Sequence, residues 1–133
     1  MDRKLNALQQ MDRKIDVLQQ ILDDIIEESG FYGIILTSDE GLIVTHSKLL
    51  DQEVDLDSLA ARAANIFNEN GIGIYNPEDI IVSYPNKKIF IQKVSFSEDS
   101  TPILLLITIM PSNVRYFKRK INKIKKNLIF THE

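Results

Sequence analysis

Four carboxylates crowd one stretch of this chain: Asp23, Asp24, Glu27 and Glu28. If the stretch is helical, Asp23 stacks on Glu27 and Asp24 on Glu28, because residues four apart share a face. Paired carboxylates can hold a divalent cation or divide the roles of acid and base. No histidine and no second ligand-bearing helix pattern accompanies them, so a solvated acidic face is the expected role. The two histidines, His46 and His132, lie far apart, and there is no cysteine. Disulfides, thiolate metal sites and cysteine nucleophiles are thereby excluded, and histidine-based triads are disfavoured. No serine sits in a nucleophile elbow. Gly71-Ile72-Gly73 has the start of a phosphate loop, but it closes a helix pattern and leads towards a strand. Dinucleotide fingerprints run the other way, so a turn is expected there. No catalytic, cofactor-binding or metal-ligating residue is assigned, and the expectation is a protein that is not itself an enzyme.

Charge narrows the partners. The 133 residues carry a net charge of −3, unevenly spread. Residues 1–110 hold nine basic and eighteen acidic residues, a net −9, whereas residues 111–133 hold seven basic residues against Glu133 alone, a net +6. A basic C-terminal segment on an acidic body invites a nucleic-acid or membrane reading. Only Tyr116 is interleaved as an aromatic, so no nucleic acid is expected, and peripheral membrane contact through the basic segment is kept. With no apolar leader pattern and no apolar run long enough to cross a bilayer, a cytoplasmic location is expected.

These residues are positioned by a legible order of elements. Leu5, Leu8, Met11, Ile15, Leu18, Leu22 and Ile25 form a helical stripe, and Gly30 supplies a stop. Within that helix, residues 1–10 return almost unchanged as residues 11–20, a local duplication that lengthens it. Residues 33–38 and 42–47 flank the turn Asp39-Glu40-Gly41 as a hairpin. Asp55 or Asp57 can cap a second helix through Glu69, with Leu59, Ala63, Ile66 and Phe67 as its buried stripe. Residues 79–84 and 88–95 form a second hairpin about Pro85-Asn86-Lys87. Residues 103–109 are apolar on both faces, as in a strand at the middle of a sheet between helices. Pro111 is predicted to open a last amphipathic helix carrying Val114, Phe117, Ile121, Ile124 and Leu128. The order α-β-β-α-β-β-β-α predicts a three-layer α/β (α+β) domain, with a five-stranded, mostly antiparallel sheet between helices. Residues 1–14 are read as a helical extension, 15–129 as the domain and 130–133 as a tail.

Three features in this order resemble the roadblock/LC7 family: the hairpin running from Gly33 through Gly41 to Val44, the alanine-rich helix Leu59-Ala60-Ala61-Arg62-Ala63-Ala64, and the aliphatic fifth strand entering a last helix. The resemblance implies a homodimer, or a heterodimer with a sister protein, joined through the second helix and third strand. The interface it implies is Ala60, Ala63, Ala64, Phe67, Ile80, Ile81, Val82 and Tyr84, with alanines trimming the helix for close approach. It further implies a platform for a small Ras-like GTPase, with Ala61, Arg62, Asn65 and Asn68 facing that partner. An arginine finger at Arg62 is conceivable, since one arginine beside a γ-phosphate speeds hydrolysis greatly; a surface or dimer-rim arginine is the plainer expectation. The leading reading is thus a dimeric adaptor or scaffold that binds and regulates or localises a small GTPase. The alternatives are a light-chain-like structural subunit of a motor or membrane-associated complex, and a small-molecule sensor domain. No cofactor is expected in any of them.

Overall fold

Twenty-eight residues without glycine or proline form one helix, α1 (Asp2–Ser29). It runs about 42 Å at the usual helical rise and stops where Gly30 turns left-handed at φ 75°. The Gly30 N–H still bonds to the Ile26 carbonyl at 3.2 Å, the usual way a glycine closes a helix. Then follow β1 (Gly33–Ser38), β2 (Ile43–His46), α2 (Leu56–Asn68), β3 (Asp79–Ser83), β4 (Lys87–Ser95) and β5 (Ile103–Pro111). These come from a computed structural model that describes the backbone of residues 2–47, 55–68, 78–95, 103–122 and 126, and side-chain surroundings from Ile15 onward. The Gly71-Ile72-Gly73 turn, His132 and the tail at 130–133 lie outside the described residues.

The sheet is antiparallel throughout in the order β2-β1-β5-β4-β3. β5 is central, as its two-sided apolar run predicts, and every side chain from Leu104 to Met110 is buried. Alternate residues serve opposite faces. Leu104, Leu106 and Met110 join Ile34, Leu36, Phe90 and Val94 beneath Leu18, Leu22 and Ile26 of α1. Leu105, Ile107 and Ile109 join Ile35, Ile89 and Ile91 beneath Ala63, Ala64 and Phe67 of α2. Burying each large aliphatic side chain contributes about 1.5–3 kcal/mol, so the two faces of this one strand anchor both helical layers.

The end of the chain departs from the sequence expectation at one point. Pro111 is the last residue of β5, opposite Lys87, and not the first residue of a helix. The Val114 N–H bonds to the Pro111 carbonyl at 3.2 Å, and Tyr116 turns left-handed at φ 60°. Helix resumes only at residues 117–122. The long strand partner β4 holds Pro111 in register, and the swing that follows lets Phe117 and Ile121 join the α1 layer. Phe117 meets Phe90 edge-on at 5.2 Å between ring centroids.

Local capping explains the remaining boundaries. Asp55 caps α2: its carboxylate accepts from the Ser58 N–H at 3.3 Å, and its carbonyl accepts from the Leu59 N–H at 3.0 Å. In the β1–β2 turn the Ser38 hydroxyl accepts from the Glu40 and Leu42 N–H groups. Beyond β2, the buried Ser47 hydroxyl accepts from the Ile34 N–H at 2.9 Å, extending the pairing by one side chain.

Two substitutions test this packing by urea unfolding. A Cβ on Gly41, at φ 92°, would lie 3.1 Å from the Ala61 Cα and 3.2 Å from the Ala60 carbonyl oxygen. Gly41→Ala is therefore expected to cost about 1–3 kcal/mol, more than Gly30→Ala, whose Cβ meets no atom within 4 Å. Equal costs at the two sites would contradict that close approach. The Thr108 hydroxyl is buried without a hydrogen-bond partner. Thr108→Val should be neutral or stabilising by up to about 1 kcal/mol; a clear loss of stability would show a partner for that hydroxyl.

Candidate functional site

β3 forms one edge of the sheet, and its hydrogen-bonding phase is fixed at both ends. The Tyr84 N–H bonds to the Lys87 carbonyl at 2.8 Å, and the Lys93 N–H bonds to the Glu78 carbonyl at 3.2 Å. In an antiparallel ladder such pairs recur at every second residue. Ile80 and Val82 therefore exchange bonds with β4, while the N–H and C=O groups of Asp79, Ile81 and Ser83 point away from the sheet. The strand carries no proline or lysine that would blunt this edge. Ile81 is 46% exposed and Tyr84 is 50% exposed, whereas Ile80 and Val82 lean on the α2 layer. The other edge, β2, is only four residues long and is tied to β1 by Ser47.

Beside this edge stands α2. Ala61, Arg62 and Asn65 are exposed on its outer face, as is Asp57 in its first turn. Of the residues matched to the GTPase-facing surface, three thus lie together; the Asn68 side chain is outside the described residues. The alanines assigned to close approach by a second copy are already buried within this chain. Ala60, Ala63 and Ala64 are 0%, 0% and 2% exposed, and Phe67 is 5% exposed. Ala63, Ala64 and Phe67 belong to the core on this face of their own sheet, and the Ala64 Cβ, with the Ala60 carbonyl and the Ala61 Cα, borders Gly41 of the β1–β2 turn. Of the eight residues matched to the interface, Ile80, Ile81, Val82 and Tyr84 form the accessible edge.

Between the first turns of α2 and the β3–β4 hairpin lies an open groove of ≈ 280 Å³ lined by Asp55, Ser58, Leu59, Arg62, Tyr84, Lys87 and Ile89. Its floor is apolar and its rim carries a guanidinium, a phenol, an ammonium and a carboxylate. That is recognition chemistry, with no nucleophile set against a base. Enclosed small-molecule sites run to about 300–1,000 Å³, so this open groove is small for one. Sequence reading paired Arg62 with α2 alone and missed its meeting with Tyr84 and Lys87, which the hairpin about Pro85 and Asn86 brings under the helix. The only available signal was an exposed-type tyrosine at the strand end.

The other candidates resolve as side-chain chemistry of the surface. Asp24 accepts a 2.9 Å hydrogen bond from Gln20, and among the described residues no group of three or more His, Asp or Glu is arranged to hold a metal. His46 Nδ1 lies 2.9 Å from the Ser47 carbonyl. No described helix is long and apolar enough to cross a membrane.

No family model matches this sequence, and no curated protein is similar to it. Solved structures are similar in fold. A gliding protein MglB from Thermus thermophilus superposes with a TM-score of 0.72 at 13% identity, over 89% of this chain and 90% of that one. MglB of Myxococcus xanthus gives a TM-score of 0.70 at 15% identity, over 86% of each chain. An MglB structure with a tetrameric arrangement gives 0.71 at 14% identity, over 89% of each. At such identities the likeness is one of architecture, and it extends over most of the chain. This chain has the roadblock/LC7 fold that its hairpin, alanine-rich helix and fifth strand resemble.

Proposed function

We propose that the chain acts as a dimer, with itself or with a sister roadblock protein, that binds a small Ras-like GTPase and regulates or localises it. The observation that carries this reading is the open β3 edge beside the exposed face of α2, in a fold matching MglB. An edge with outward N–H and C=O groups at three alternate residues is satisfied by a copy of itself. Two-fold pairing centred on Ile81 sets Ile81 opposite Ile81 of the partner subunit. Asp79 then lies opposite the partner's Ser83, and the two sheets become one of ten strands. Its axis runs normal to the sheet, so both α2 helices lie on the same side. Ala61, Arg62 and Asn65 of each copy then make one composite polar surface flanked by the two grooves. The chain contributes surface and at most one arginine to hydrolysis, with the nucleotide chemistry belonging to the GTPase.

Contact energy at such surfaces concentrates in a few residues, arginine and tyrosine prominent among them, which singles out Arg62 and Tyr84. Light scattering should return twice the 15.3 kDa chain mass for the wild type. Ile81→Lys places two like charges face to face across the seam and should give a folded monomer; a wild type that stays monomeric at high concentration would refute the paired edge. For the partner, the immobilised protein should retain a Ras-like GTPase loaded with a non-hydrolysable GTP analogue in preference to its GDP form. Arg62→Ala should weaken that retention about tenfold, a loss of about 1.4 kcal/mol. Equal retention of both nucleotide states would count against regulation.

A further inference from the structure

Four of the seven cations of the C-terminal segment gather at one place on the surface. After the swing at Pro111, the described side chains of Arg115, Tyr116, Arg119, Lys120, Asn122 and Lys126 converge on one surface concavity of ≈ 670 Å³. No described acidic residue lines it. Its walls are largely the alkyl stems of long side chains, with their charges carried outward. Tyr116 stands in this ring of cations 87% exposed, and it does so from a left-handed backbone at φ 60° that costs a non-glycine residue strain.

The patch also has a fixed side. Phe117 and Ile121 anchor this segment in the α1 layer, with the Lys120 Nζ 5.7 Å from the centre of the Phe31 ring. Lys88 reaches the same face, its Nζ 5.1 Å from the centre of the Phe117 ring. α2 and its groove lie on the opposite face of the sheet. Cations are therefore displayed on one side of the domain and the polar α2 surface on the other, so both can be occupied at once.

We propose that this concave basic surface docks on an anionic phospholipid membrane, with Arg115, Arg119, Lys120 and Lys126 meeting lipid phosphates and Tyr116 seated at the headgroup level. Charge complementarity selects an anionic surface, because each cation near such a leaflet adds to attraction that decays within a Debye length. Among the described residues lining the patch Tyr116 is the one aromatic, and this selects lipid over nucleic acid. A tyrosine is an interfacial anchor, whereas single-stranded nucleic acid needs several aromatic platforms for successive bases. The inference rests on each chain's own surface and stands whether or not a GTPase is the partner.

Vesicle flotation of the full chain tests it, with phosphatidylcholine vesicles with and without phosphatidylserine as probes. The wild type should float only with the phosphatidylserine vesicles and should be released by high salt. Arg115→Ala with Arg119→Ala should lower the partition coefficient about 25-fold, from about fivefold per cation. Tyr116→Gly should weaken flotation while leaving the melting temperature unchanged or higher, since glycine accepts the left-handed backbone; a merely structural tyrosine would lower it. No preference for phosphatidylserine at low salt would overturn the proposal. So would unaltered flotation of the double variant, or tighter binding to a single-stranded oligonucleotide than to the anionic vesicles at the same salt.

Discussion

The structure depends on one strand being apolar on both sides. Leu104 to Met110 can leave water only if helices cover both faces of β5, and the chain supplies α1 to one face and α2 to the other. β1 and β4 must then flank β5, because each contributes large residues to both layers, and this pushes β2 and β3 to the edges. The edges receive different treatment. β2 is short and is closed by the buried Ser47 hydroxyl, while β3 keeps three residues of outward-pointing backbone and an exposed isoleucine. The site follows from the core: a sheet built around β5 in this order ends at β3, next to the first turns of α2.

Much of this was legible in the sequence because the physical signals were local. A helical stripe without breakers, a two-faced aliphatic run and an aspartate at the right distance before an apolar stripe each act over a few residues. They located α1 and β5 and narrowed the α2 cap to Asp55 or Asp57, of which the structure uses Asp55. Small residues are ambiguous in the same reading. Ala60, Ala63 and Ala64 permit close approach without saying by what, and the family resemblance assigned them to a second copy. Within the chain, Ala64 borders Gly41, about twenty residues away, whose φ of 92° and missing Cβ let the β1–β2 turn pass close to α2. Pro111 was ambiguous for a related reason. Proline suits a first helical turn, but strand pairing with Lys87, set by the far hairpin, decided its place. The groove joining Arg62 to Tyr84 was not legible, since it exists only once β4 and α2 share a face.

Lysines finish the layers at their open side. Lys88 and Lys93, on opposite faces of β4, lay their ammonium groups 5.1 Å and 5.2 Å from the ring centres of Phe117 and Phe67. Each such contact is worth about 0.5–1 kcal/mol at an exposed site. Each also covers aromatic surface where the sheet runs out towards β3. The net charge of −3 is thus a sum over distinct surfaces, with cations gathered on the α1 face near the end of the chain. A small net charge says little about what the domain attracts; the face on which each charge stands says more.

The central claim is that the β3 edge is completed by another chain, and amide hydrogen exchange reads it directly. Within one chain, the Ile80 and Val82 amides bond to β4, while those of Asp79, Ile81 and Ser83 point outward. If the edge is paired, exchange at Asp79, Ile81 and Ser83 slows as protein concentration rises. Ile80 and Val82, already bonded within the chain, serve as the internal reference. Outward amides that exchange at the rate of an open strand at every concentration, while Ile80 and Val82 remain protected, would contradict the account.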